Sequence, residues 1–199
     1  MRSKGFLIVI LILVLGGFAG CAGCGTYNGL VAADESVDQA WADVETQYQR
    51  RSDLIPNLVS TVQGAANFER ETLEAVTSAR ARATGITLTA EDLGDEAKMQ
   101  EYMEAQAALG GALGRLLAVS ENYPELRATE SFSQLQSQLE GTENRINTAR
   151  RDYNEAVRGY NTSVRRFPAS IIASMTGFER RTPFEADPGA DKAPVVEFN

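Results

Sequence analysis

Gln47-Tyr-Gln-Arg-Arg-Ser-Asp-Leu-Ile-Pro-Asn-Leu-Val59 places two arginines, an aspartate and an asparagine around a proline, inside a segment that otherwise reads as helix. Pro56 has no N–H and its ring crowds the preceding turn, which costs a helix about 3 kcal/mol. A sequence serving a helical core alone has no use for proline at that point. On both sides of it, Val37, Trp41, Val44, Tyr48, Ile55, Leu58, Val62, Ala65, Leu73 and Val76 keep a three-and-four spacing. The register passes Pro56 without slipping, and Arg51 occupies the seam position that an apolar residue would fill. The pattern predicts one kinked helix from Tyr27 to Thr84. A break at Pro56, giving a hairpin, is the alternative. One helix of about 55 residues would be roughly 80 Å long, and antiparallel neighbours would have to match it.

Further along, Gly85 to Glu96 reads as a connection. Gly85 is placed to stop the preceding helix, and Thr89 with Asp92 resembles a capping box. The carboxylates of Glu91, Asp92, Asp95 and Glu96 suit a helix N-terminus; the alternating ligand spacing of a calcium loop is missing. The next helix covers Ala97 to Asn122, with Met99, Tyr102, Gln106, Leu109, Leu113 and Leu116 as its seam. Gly110, Gly111 and Gly114 cost it about 1 kcal/mol each relative to alanine, so close approach of a neighbouring helix is expected there. Ser120 to Pro124 is a turn, and a new start lies at Thr129 or Ser131. Phe132, Leu135, Leu139, Thr142, Ile146, Ala149, Tyr153, Ala156, Tyr160 and Val164 then form a sustained heptad, the seam of a narrow bundle. Ala169 to Met175 is a short helix stopped by Gly177. Residues 177–199 read as an extended tail, in which Pro194 to Phe198 is a candidate docking segment.

The chain has 199 residues, 43% of them hydrophobic, which bounds it to one domain with appendages. Nineteen basic against 27 acidic residues give a net charge of −8. An acidic body is repelled by phosphate backbones, so no nucleic-acid partner is expected. Histidine is absent. Serine–histidine and cysteine–histidine catalysis are thereby excluded, and the commonest metal ligand is missing. No catalytic, cofactor-binding or metal-binding residue is assigned, and no enzyme is expected.

The N-terminus carries Arg2 and Lys4, an apolar run from Phe6 to Phe18, and then Ala19-Gly-Cys-Ala-Gly-Cys24. Residues 1–24 form a signal or anchor. Phe18-Ala-Gly-Cys21 is similar to a lipobox, with Cys21 the lipidation site and Cys24 the alternative. Phe18 stands where an aliphatic residue is usual. The competing reading retains Phe6 to Gly23 as a short transmembrane helix. The positive N-terminus stays inside in both cases.

Tyr27-Asn28, Ala40-Trp41, Gln47 to Arg51, Asp53 to Val59 and Leu139-Glu-Gly-Thr-Glu-Asn-Arg-Ile146 together resemble the LemA family, over Tyr27 to Phe167. The resemblance implies a membrane-anchored, helical, extracytoplasmic protein; it does not imply a reaction. The expected fold is therefore an all-α, antiparallel, up-and-down bundle at 25–176, between an anchor at 1–24 and a tail at 177–199. The count of about four helices leans on the resemblance; the periodicity alone gives three long ones.

A seam guanidinium needs a carboxylate, and Glu143, next to the seam residue Thr142, is the candidate partner for Arg51. Such a network serves helix register. Arg50, Asp53 and Asn57 are instead candidates to face outward at the kink and bind a partner. Tyr153-Asn154 and Tyr160-Asn161 recur seven residues apart, as one core stripe. Arg145, Arg150, Arg151, Arg158, Arg165 and Arg166 form a solvated basic face, which would meet anionic headgroups if turned to a membrane. The expected function is a non-enzymatic adaptor or scaffold in the cell envelope. Its expected partners are the membrane and another envelope protein. The alternatives are a self-assembling structural protein, which would be a homo-oligomer, and an enzyme of unknown type.

Overall fold

The computed structural model describes residues 2–64 and 68–185; within them, the side chains of 2–5, 7–9, 12 and 14–22 are not described. The described residues form α1 (Arg2–Gln63), α2 (Arg70–Gly85), a 3-10 turn (Ala90–Gly94), α3 (Glu96–Ser120), α4 (Pro124–Arg127), α5 (Glu130–Arg165) and α6 (Ala169–Thr176). There is no strand among them. Among the described residues no helix is long and apolar enough to cross a membrane. The anchor expected at 1–24 falls mostly on side chains outside the described ones, as do Ala65 and the candidate docking segment 194–198.

α1 passes through Pro56 unbroken. The proline is exposed, so its ring meets water rather than a neighbour. Its missing N–H leaves the carbonyl of Ser52, one turn earlier, without the usual donor. Arg80 on α2 takes that place, with Nε donating to the Ser52 oxygen at 3.0 Å. Arg80→Ala is therefore expected to cost about 1 kcal/mol in the native chain and close to nothing in Pro56→Ala, where residue 56 donates instead. A double-mutant cycle in urea checks this; equal costs in both backgrounds would refute it.

The helix predicted to run on to Thr84 ends instead at Gln63. Gly64 follows, a poor helix former, and the chain reverses so that α2 runs back along α1. The stripe of Leu73 and Val76 is in phase with that of α1, so periodicity alone conceals the reversal. α3 runs alongside α1, with Tyr102 against Trp41 and Tyr48. α5 is antiparallel to α1, pairing Tyr153 with Trp41 and Glu143 with Arg51. The result is an up-and-down bundle of α1, α2, α3 and α5. The buried stripe of α1 starts at Leu30, which gives it a length matching the 36 residues of α5.

Local signals set most boundaries. Asp92 accepts from the backbone N of Thr89 at 2.9 Å and pairs with Lys98. Asp95 caps α3 by accepting from Ala97 N and Lys98 N at 3.0 and 3.2 Å. Capping thus accounts for two of the four carboxylates in this loop. Thr129 caps α5. Gly177 ends α6 at φ 81°, the left-handed geometry that glycine adopts without penalty. The α5 stripe is buried from Leu139 to Tyr153 as expected, with Phe132 and Tyr160; Leu135 and Val164 are half-buried, and Val157 is buried in place of Ala156, because a 3.6-residue helix drifts against a strict seven-residue repeat.

The close helix approach expected at the α3 glycines is not found. A Cβ on Gly111 or Gly114 would meet nothing within 4 Å, and one on Gly110 would meet only Arg51 Nη1 at 3.6 Å. Gly111→Ala and Gly114→Ala are expected to stabilise by about 0.5–1 kcal/mol each, read from denaturation midpoints.

Two apolar clusters fill the bundle. One holds Trp41, Tyr48, Leu93, Tyr102, Tyr153 and Phe184, among others; the second includes Ile55, Leu58, Val76, Leu109, Leu116 and Phe132. Phe184 lies beyond the boundary expected at 176. Residues 178–185 have no regular secondary structure, but they are fastened to the bundle rather than loose, with Phe184 in the core. Asn161 grips Arg181 through its backbone, donating to the oxygen at 2.8 Å and accepting from the nitrogen at 2.9 Å. Asn154 grips Phe184 in the same way, at 3.0 and 2.8 Å. Tyr153 Oη donates to the Thr182 oxygen at 3.0 Å, and Thr182 N donates to the Leu93 oxygen at 2.8 Å. The seven-residue Tyr-Asn repeat thus supplies two core rings and two clasps on one strap.

Candidate functional site

The helical period splits the motif on α1 in two. Arg51, Ser52, Ile55 and Leu58 are buried, whereas Arg50, Asp53, Pro56 and Asn57 are exposed. Arg51 is only 3% exposed. Its Nη1 donates to Glu143 Oε2 on α5 at 3.2 Å. Its Nη2 donates to the Gln106 carbonyl and to Gln106 Oε1 on α3, at 3.0 and 2.7 Å. The guanidinium also sits 5.0 Å from the Tyr48 ring centroid. One side chain therefore joins three helices. With Ser52, Gln106 and Thr142, all buried, it forms a polar layer between the two apolar clusters. Glu143 is 50% exposed, so water shares in stabilising its charge, and the fully buried bonds are those to Gln106. Arg51 Nε and Ser52 Oγ are buried without a hydrogen-bond partner.

Two depressions flank this layer. A cavity of about 490 Å³ opens between α1, α3 and α5, lined by Arg51, Glu104, Gly110, Glu143 and Arg150. On the opposite side a groove of about 910 Å³ runs between α1, α2 and α3. Arg50, Asp53 and Glu45 line it, over Ser52, Tyr102 and Gln106. Gln49 Nε2 donates to Asp53 Oδ1 at 2.9 Å along the same helix. Burial raises the Glu45 carboxyl above its ordinary value and raises the Tyr102 hydroxyl well above its own. Asn57 stands one turn beyond Asp53 on the exposed face. The groove therefore presents both charges and hydrogen-bonding groups of either kind. Cys24 is exposed as a free thiol; the Cys21 side chain is not among the described ones.

A second polar cluster lies where the strap meets α1. Arg181 donates to Asp34 Oδ1 from Nε at 3.1 Å and from Nη2 at 2.9 Å. Asp38, one turn further, has a buried Oδ1 with no hydrogen-bond partner. Burial first, and then the charge of Asp34, raise its carboxyl above the ordinary 3.8, against the pull of Arg181. A carboxyl raised in this way favours the folded state when protonated, so its ionisation removes stability as pH climbs from the unfolded value through the folded one. Asp38→Asn is expected to raise the melting temperature near pH 7 and to leave it unchanged near pH 3. A decrease near pH 7 would refute this. Sequence reasoning missed Arg181 altogether, and read Asn154 and Asn161 only as companions of core tyrosines. The Tyr-Asn repeat was the available signal.

Residues 40–198 match the sequence pattern of the LemA family. The chain belongs to the LemA family. Magnetosome protein MamQ 2 of Paramagnetospirillum magneticum is 30% identical to it over 186 residues, covering 85% of this chain and 68% of that protein. Magnetosome protein MamQ of Magnetospirillum gryphiswaldense is 26% identical with the same coverage. Protein LemA of Metamycoplasma hominis is 24% identical over 152 residues, 76% of this chain and 65% of the relative. In this LemA-family chain the two most informative motifs, Gln47 to Val59 and Leu139 to Ile146, face each other and are joined by Arg51 and Glu143.

Proposed function

We propose that this LemA-family protein is a non-enzymatic adaptor or scaffold of the cell envelope, anchored to a membrane through residues 1–24 with its bundle on the extracytoplasmic side. One observation carries the adaptor reading. The motif devotes Arg51 and Ser52 to the interior, yet keeps Arg50, Asp53 and Asn57 on the outer face, with Arg50 and Asp53 beside an open groove. Charged groups held on a rigid helix suit a protein partner with complementary charges. The anchor reading is supported by the apolar run after Arg2 and Lys4, in which Phe6, Ile10, Leu11 and Leu13 are exposed and uncovered by protein. Cys21, or else Cys24, is the acceptor if the anchor is a lipid; mass spectrometry of the purified N-terminus separates that from a retained span.

A photo-crosslinker placed at Arg50 in native membranes tests the adaptor reading, with Arg127 as the control position. The expected result is one heterologous protein captured from position 50, absent from position 127, and lost in Asp53→Ala. Self-capture would favour the self-assembling alternative. No capture would return the motif to a purely structural role.

A further inference from the structure

Nine large hydrophobic side chains are exposed among the described residues: Phe6, Ile10, Leu11, Leu13, Tyr27, Val31, Phe167, Ile171 and Met175. All belong to one end of the molecule. The first four lie on the apolar run, and Tyr27 and Val31 continue it along α1. The last three come from the turn into α6 and from α6 itself, which packs against both α1 and α5. Tyr27 touches Phe178, just past α6, with ring centroids 5.8 Å apart. Within α6 only Ala173 is buried, while Phe167, Ile171 and Met175 are 76%, 51% and 80% exposed. The opposite end of the bundle has no such residue among those described. Arg165 and Arg166, both exposed, close α5 directly before this patch.

We infer that α6 is a second membrane contact, in which Phe167, Ile171 and Met175 enter the interfacial layer and Arg165 and Arg166 meet anionic headgroups. The inference rests on the anchoring proposed above. Lipid is the occupant because the patch is continuous with the apolar run, whose exposed side chains need the same cover. The distances agree. Tyr27 is four residues past Gly23, about 6 Å by helical rise, which is headgroup depth for a span ending at Gly23. Apolar side chains next to arginines are also the composition of a segment lying in the membrane interface. The bundle then stands on the bilayer at two points, so the groove beside Arg50 is held at a fixed height above the lipid.

The test uses the full chain in phosphatidylcholine–phosphatidylglycerol vesicles carrying acyl chains brominated near the headgroup. Met175→Trp places a reporter at an exposed site, and Glu125→Trp is the control at the far end. The buried Trp41 supplies the background, measured on the unsubstituted chain. With the chain co-floating with vesicles, brominated lipid is expected to quench the reporter at position 175 about twofold and the control at position 125 not at all. Arg165→Gln with Arg166→Gln is expected to reduce that quenching in anionic vesicles. Flotation with the position-175 reporter unquenched and open to iodide would overturn the inference and leave the anchor standing. Flotation with the same reporter shielded from both quenchers would overturn it in favour of a protein cover. A chain that fails to float would overturn the anchoring reading and the inference together.

Discussion

Arg51→Ala is expected to destabilise the bundle by about 3 kcal/mol, and Arg50→Ala by less than about 0.5 kcal/mol. The two arginines are adjacent in sequence and opposite in environment. Removing the Arg51 guanidinium takes away its hydrogen bonds to the Gln106 carbonyl and side chain and to Glu143. Gln106 Oε1 is then a buried acceptor without its donor, which costs about 1–3 kcal/mol, whereas the Gln106 carbonyl keeps its bond within α3. The lost side-chain volume adds a cavity between two well-packed clusters. In a chain of this size the loss corresponds to roughly 6–12 °C in melting temperature. Glu143→Ala is milder, at about 1 kcal/mol, because its carboxylate is half in water and the Gln106 bonds remain. Arg51→Met keeps the stem packing, so it falls between alanine and the native residue. Thermal denaturation of the four variants decides the matter. Equal melting temperatures for Arg50→Ala and Arg51→Ala would refute the polar layer as a structural joint.

Phe184→Ala is expected to cost about 3–4 kcal/mol, although the residue sits in a segment with no secondary structure. Its ring stacks on Trp41 at 5.9 Å and 20°, and meets Tyr153 edge-on at 5.3 Å. The Arg150 guanidinium lies 4.9 Å from the ring centroid. Loss of the ring uncovers the Trp41 cluster and releases the strap, leaving Asn154 and Asn161 to hold backbone with nothing anchoring its end. Asn154→Ala and Asn161→Ala, which each break two bonds to the strap, are expected to cost about 1–3 kcal/mol apiece. Their costs should not be additive with that of Phe184→Ala, because all three act on one segment. Hydrogen exchange supplies a regional readout. The amides of Arg181 and Phe184 are expected to lose protection in all three variants, while those of α2 keep theirs. Uniform loss across the bundle would show that the strap is not a separate unit.

Much of this architecture can be read along the chain. The three-and-four stripes of α1, α3 and α5, the stop at Gly85, the start at Thr129 and the αL stop at Gly177 are all local signals. Each depends on residues within a few turns of one another, and helix formation is governed at that range. Arg51 is also conspicuous, since a charge in an otherwise apolar seam needs compensation wherever the seam is buried. Glu143 is accessible to the same reasoning, through its place beside the α5 seam.

What the chain order conceals is where segments distant in sequence meet. The end of α1 at Gln63 was hidden by two stripes that happen to share a phase, and only the matched length of α5 makes a reversal there sensible. Arg80 has no sequence relation to Pro56, yet it completes the carbonyl that the proline leaves open. Residues 178–185 look like a tail, with a proline and no helical stripe, and are held to the bundle only because Asn154 and Asn161 clasp their backbone and Trp41 receives Phe184. The apolar residues of α6 acquire a meaning by lying at the same end as the N-terminal run. Periodicity reports which face of a helix avoids water, but hydrophobic burial is not directional. The choice of what covers that face belongs to the packed molecule, where shape and hydrogen-bond partners across the bundle select one answer.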